Sequence, residues 1–211
     1  NPARSDTEAM RQFQETLLEV WREACRHTDL ANSSGLIAEL VAKRIPIDHL
    51  GVLTFDPERG RLHPRASALG EAGRIPGADR DLQPDETARL LAWAASGHML
   101  RLPSAEPEAA ALAALLLPGL PGAQWLLAML GTDEHPAGGI LLLRLRQDAD
   151  CSAEHEAMVL ALVEPLSAAL DNDRRFHELA SLREAAEADK RSALARLGRE
   201  DLRDVVVGAE A

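Results

Sequence analysis

His49-Leu50-Gly51-Val52-Leu53-Thr54-Phe55-Asp56-Pro57-Glu58-Arg59-Gly60 reads as a strand that runs straight into a tight reversal. His49 to Phe55 is a short, mostly apolar run with β-branched and aromatic members. Asp56 to Gly60 then sets Pro and Gly where a chain turns back. Arg61 to Leu69 alternates and reads as the returning strand, with Pro64 suited to an edge or a bulge. A hairpin here puts an antiparallel sheet at the centre of the fold, and the flanking segments must supply what covers it.

Toward the N-terminus the period changes to that of a helix. From about Asp6 to His27, Phe13, Leu17, Val20, Trp21 and Ala24 recur three and four apart between charged residues. Asp29 to Ser34 is turn-like, and Ser33 or Ser34 is expected to cap a second helix carrying Leu36, Ile37, Leu40 and Val41 before Pro46. Toward the C-terminus, Gly70 to Pro84 is a polar loop. Asp85 to Ser96 is a helix closed by Gly97, and His98 to Leu102 is a short strand. Glu106 to Leu117 is an alanine-rich helix between Pro107 and Pro118. Gln124 to Leu130 and Gly139 to Arg146 are two further strands. The predicted class is α+β, an antiparallel sheet flanked by helices.

From Ser152 the helical period returns and persists to about Leu197. Ser152 reads as its N-cap, with Glu154 and Glu156 at the positive end of the dipole. Leu160, Leu162, Val163 and Leu166 are expected to bury one side, and Pro165 to kink or split the helix. Past Leu170 only a thin apolar line remains, Phe176, Leu179, Leu182, Ala186, Ala193, Leu194 and Leu197, among alternating charges. A helix from Ser152 to Leu197 would be about 70 Å long, too long for the face of one domain. The division expected is a domain over residues 1–170 and a helical linker over 171–211. The linker reads either as a solvated helix or as half of a parallel dimeric coiled coil.

Composition narrows the function. At 211 residues and 46% hydrophobic content, one substantial core and an extension can form. The net charge of -11 argues against a nucleic-acid surface. No apolar run is long enough to span a membrane. The first residues are polar and do not read as a secretory leader, and Cys25 and Cys151 form no metal or disulfide framework. A cytoplasmic protein is expected.

Three segments of the C-terminal third are familiar together. Ser152-Ala153-Glu154-His155, Glu164-Pro165-Leu166-Ser167-Ala168-Ala169-Leu170-Asp171-Asn172 and Glu178-Leu179-Ala180-Ser181-Leu182-Arg183-Glu184 resemble the end of a GAF domain running into its signalling helix. Leu197-Gly198-Arg199-Glu200-Asp201-Leu202 and Val205-Val206-Val207-Gly208-Ala209-Glu210 resemble the lead-in to the central AAA+ ATPase of sigma-54-dependent transcriptional regulators. The element order from Asp6 to Leu170 fits a GAF domain as well. The resemblance implies a GAF-like sensory domain that binds a small effector. It also implies a homodimer through the N- and C-terminal helices, controlling an AAA+ domain of the same full-length chain in transcription regulation. A GAF module that senses nothing and serves as a dimerisation scaffold is the alternative.

In GAF domains the effector lies between the sheet and the crossover helices, which corresponds here to about Arg61 to Trp125. Alternation puts His63 and Arg65 on one face of their strand. Arg89 and Trp93 share a helix face at i,i+4, and His98 and Arg101 follow shortly. These six residues would suit an anionic ligand such as a carboxylate. Equally, Trp93 would sit in the core, with the arginines solvated. A pocket ringed by Arg65, Arg89 and His98 would favour the sensor, and one filled by leucines the scaffold.

No catalytic site is expected. The chain has no Gly-x-x-x-x-Gly-Lys-Ser/Thr loop, and its seven histidines are scattered without an i,i+4 pair. Cys151 gains some thiolate stabilisation from a helix start, opposed by Asp148, Asp150 and Glu154. A hydrophobic staple beside Ser152 is the role expected of it. No cofactor is readable from the residues.

Overall fold

The computed structural model describes the backbone of residues 2–26, 29–69, 79–97, 99–118, 123–133 and 135–208, and within these the side chains of 11–194. The helices and strands are α1 Pro2–Arg26, α2 Leu30–Ala42, β1 Ile47–Asp56, β2 Arg61–Ala68, β3 Arg80–Asp81 and α3 Pro84–Ser96. They continue with β4 Leu100–Leu102, α4 Pro107–Leu116, β5 Trp125–Leu130, β6 Gly139–Leu145 and α5 Ala153–Gly208. The chain divides into two compact units, Asn1–Asp173 and Arg174–Ala211. No described helix is long and apolar enough to cross a membrane.

The first unit is built on a six-stranded sheet of order β3-β2-β1-β6-β5-β4, every neighbour antiparallel. β1 and β6 pair at the centre, Leu50 opposite Leu143 and Val52 opposite Leu141. β6 is a nearly continuous apolar run, and β1 is buried without a break from His49 to Leu53, because both faces of the sheet are covered. Alternate residues divide between the layers. Leu50, Val52, Leu126, Ala128, Leu141 and Leu143 pack with α1, α2 and the first part of α5. Leu53, Phe55, Leu127, Ile140 and Leu142 pack with α3 and α4.

Local chemistry explains the helix ends. Asp29, not Ser33 or Ser34, caps α2, its carboxylate accepting from the Ala31 amide at 2.9 Å. Both serines are buried one turn inside the helix, and Ser34 bonds back to the Ala31 carbonyl at 2.8 Å. α3 opens with a capping box between Gln83 and Glu86 and closes at Gly97 in the left-handed conformation. Ser152 caps α5 as expected. Its hydroxyl accepts from the His155 amide, and the His155 ring accepts from the Ser152 amide, both at 3.2 Å.

α5 continues through Pro165 without the split that a helix-interior proline suggests. Leu162, Leu166, Ala169 and Leu170 are buried on both sides of the proline, and their packing holds the helix across the missing amide bond. Within the second unit the helix is charged and exposed. Arg183 pairs with Glu187 at 3.1 Å, and Arg191 donates to the Glu187 carbonyl at 3.3 Å. The backbone is helical as far as Gly208, while the side chains of the lead-in motif, Val205 to Glu210, lie outside the described residues.

Candidate functional site

The strand expected to carry two ligand-binding residues has an irregular register. His63 faces Thr54 and Pro64 faces Leu53, but Ala66 faces Val52, so Arg65 is the extra residue of a bulge. The bulge turns Arg65 toward α5. Its guanidinium donates to Asp173 through Nε and, at 2.8 Å, through Nη2. Asp173 is only 2% exposed and also accepts from the Leu30 amide, the first of α2, at 3.0 Å. The bond to Asp173 pushes the Arg65 pKa above its ordinary value, against the opposing effect of burial.

The other candidates are also spoken for. His63 Nδ1 lies 2.9 Å from an Asp79 oxygen. Arg89 Nε lies 3.3 Å from Glu108, tying α3 to α4. Arg101 reaches Glu156 at 3.7 Å and donates to the Cys151 carbonyl at 3.4 Å. Trp93 is buried among leucines of the α3–α4 layer. His98 lies outside the described residues.

The sheet separates these residues. Leu62 and Leu102 point into the layer under α3 and α4, so their strand neighbours His63 and Arg101 occupy the opposite face, where Arg65 also lies. Arg89 and Trp93 belong to the α3–α4 side. The described members of the predicted set therefore do not surround one pocket. Alternation says which residues of one strand share a face, but not which face each later element will cover. The space between the sheet and the crossover helices is filled instead. Leu53, Leu90, Leu112, Leu116, Leu127, Ile140 and Leu142 are all buried there at close-packed contact.

A polar row crosses the sheet that the strand patterns alone do not bring together. His49, Arg144 and Trp125 are successive cross-strand partners on β1, β6 and β5. The His49 and Trp125 rings meet edge-on at 5.9 Å, and the Arg144 guanidinium lies 5.9 Å from the Trp125 centroid. Arg144 is paired with Asp48 at 2.5 Å, and His49 Nδ1 donates to the Leu69 carbonyl at 3.3 Å. Burial lowers the pKa of His49, the carbonyl bond partly offsetting it, Arg144 adding to the fall and Asp48 opposing it. Trp125 Nε1 is buried with no hydrogen-bond partner among the described residues. The one signal in the sequence was parity, since His49 shares its face with Leu53 and Phe55.

Cys151 is partly buried against the α5 core, and its thiol pKa is raised, chiefly by burial, with Arg101 opposing and Glu156 adding. That is the environment of a packing thiol, not of an activated nucleophile. Among the described residues no three His, Cys, Asp or Glu side chains converge as a metal site would require.

The structure does hold a half-open groove of about 350 Å³ at the edge of the sheet. β4 begins at Leu100, opposite Leu127, so Ala128 to Leu130 have a strand partner only on the β6 side among the described residues. Ala94 and Gly97 at the end of α3, Met99, the end of β5, the turn after it and Leu160 and Val163 of α5 enclose this gap. Gly131 is required in that turn because a Cβ there would meet the Pro136 carbonyl oxygen at 2.2 Å.

No protein-family model matches the chain, and no curated protein matches its sequence. Solved structures do match. A GAF domain of a putative sensor histidine kinase from Pseudomonas syringae pv. tomato is 19% identical, with a TM-score of 0.54 over 86% of this chain and 99% of its own. A phycoerythrobilin-bound GAF domain of a cyanobacterial phytochrome gives 15%, 0.51, 78% and 97%. Free methionine-R-sulfoxide reductase from Neisseria meningitidis, in complex with its substrate, gives 14%, 0.54, 77% and 90%. These proteins differ in what they do, and at such identities the likeness is one of architecture. Together with the six-stranded antiparallel sheet and its two helical layers, it establishes that this chain has the GAF fold.

Proposed function

We propose that the chain is the non-catalytic regulatory part of a larger cytoplasmic bacterial regulator. It acts as a homodimer paired through α5 and controls a downstream AAA+ ATPase of the sigma-54-activating kind in response to a small effector. The observation that supports this reading is the exposed apolar line of the second unit. Leu179 and Leu182 are each 67% exposed, and Phe176 and Leu194 are exposed on the same helix, among residues that are mostly charged. Apolar side chains so placed are stable in solution when a second helix covers them. In a parallel pair with Leu179 and Ala186 at a and Leu182 at d, Glu178 falls at g and Arg183 at e, which places opposite charges across the interface. Within the first unit, Leu18 of α1 and Leu36 of α2 are likewise exposed apolar side chains.

Sedimentation equilibrium of this chain tests the proposal. The wild type is expected to be a dimer, and Leu179→Glu with Leu182→Glu to raise its dissociation constant at least about 100-fold, since each buried leucine contributes roughly 1.5–3 kcal/mol. A wild type that stays monomeric at every concentration would sink it. The scaffold reading, in which nothing is sensed, draws on the leucine-filled layer under α3 and α4. It leaves the edge groove without a role.

A further inference from the structure

We propose that the groove at the open edge of β5 is the effector site, and that it takes a small molecule with an apolar body and an ammonium or N–H donor head. The inference rests on the regulatory reading above and supplies the input that the filled α3–α4 layer lacks. The volume of about 350 Å³ falls within the usual range for small-molecule sites, roughly 300–1,000 Å³.

The lining sets the chemistry. Met99 and Met129 are unbranched and polarisable, so they mould to ligands of different outline. Leu160 of α5 is 50% exposed although it lies within the compact unit, and it borders the groove beside Val163. Where no described strand pairs with β5 on its β4 side, its edge adds backbone donors and acceptors that a ligand can meet. At the other end stand Thr132 and Asp133. Asp133 is exposed and has no ion-pair partner among the described residues, so that end favours a donor or cation. The surplus of acidic groups over the whole chain acts in the same direction.

The position connects the groove to α5. Leu160 and Val163 are on its wall. Two turns further, the Gly131 amide donates to Ser167 Oγ at 2.9 Å, and His135 Nδ1 lies 3.6 Å from Asp171. Leu160, Val163, Ser167 and Asp171 are three to four residues apart and form one stripe of the helix. A ligand seated between this stripe and the turn after β5 changes the contacts on both. Differential affinity for two helix placements then becomes the signal.

The chain has four methionines, so methyl-labelled methionine NMR reads the groove directly. The probes are 2-phenylethylamine, its neutral analogue ethylbenzene and the anionic 3-phenylpropanoate. The amine is expected to shift the Met99 and Met129 methyls saturably, with buried Met158 unmoved, and to bind more tightly than the other two. Asp133→Asn should weaken the amine roughly fivefold to tenfold, the loss of one partly solvated charged hydrogen bond. Leu160→Trp, a change at a half-exposed position, should fill the groove and abolish the shifts. Unmoved Met99 and Met129 signals up to about 10 mM amine, where a millimolar site is saturated, would overturn the proposal. So would tighter binding of the anion, or shifts that survive Leu160→Trp. A dimer with an empty groove removes the site and leaves the regulatory reading standing, whereas a monomer with a saturable groove does the reverse.

Discussion

Asp173 and Arg65 form an ion pair between residues 108 apart in the chain, and the same carboxylate holds the first amide of α2. A carboxylate at 2% exposure is tolerable only with such partners. In sequence Asp173 reads as one acid among many, yet it continues the buried stripe Leu162, Leu166, Leu170 at helical spacing, which is the sign that it faces inward. Asp173→Ala should cost about 2–4 kcal/mol in urea unfolding, toward the lower side because Arg65 keeps some access to water. The high pKa of Arg65 contributes stability that is present at every pH below about 12 and so does not modulate folding near neutrality. His49 behaves differently. Its pKa is lowered in the fold from 6.5, so protons bind the unfolded chain more strongly. Its neutral-state stability is full above about pH 6.5 and is lost as pH falls below that toward the folded pKa. His49→Phe should flatten the dependence of the urea midpoint on pH between about 7 and 5. A slope unchanged by the substitution would assign it to other groups.

Among the elements, strands and helices were largely legible because their periods differ. The hairpin, the bulge just after Pro64, the Ser152 cap and the Gly97 stop all follow from local residue chemistry. Two local signals lost to packing. Ser33 and Ser34 are buried while Asp29 caps, and Pro165 leaves α5 unbroken because buried neighbours hold both halves. How closely α5 lies on the sheet depends on Gly139. A Cβ there would come within 2.4 Å of Leu170 Cδ2 and 2.6 Å of the Leu53 carbonyl oxygen. The leucine can swing, whereas the backbone oxygen in the central β1–β6 ladder cannot. Gly139→Ala should therefore cost at least about 2 kcal/mol, within the range for overpacking, measurable as a lowered urea midpoint. An unchanged midpoint would mean that α5 shifts freely on the sheet.

For the whole molecule, the compact unit extends to Asp173, three residues past the expected boundary at 170. A chain ending after residue 178 should keep the unfolding free energy of the compact unit within about 0.5 kcal/mol. One ending after 170 should lose at least about 2 kcal/mol with the Arg65–Asp173 pair; equal stability of the two would move the boundary back. The sequence by itself determined the order and type of the elements apart from β3, whose two residues lie in the expected polar loop, and with them the antiparallel sheet flanked by helices and the long charged helix. Those follow from periodicity and capping, which are properties of neighbours along the chain. Only the tertiary structure decided which helices cover which face, and hence that His63, Arg65 and Arg101 stand across the sheet from Arg89 and Trp93. It also decided that carboxylates from other parts of the fold occupy His63, Arg65, Arg89 and Arg101, and that among the described residues a gap remains where β4 is shorter than β5. Each of these depends on groups brought together by the fold, and a pattern read along one strand or helix carries no information about its partner.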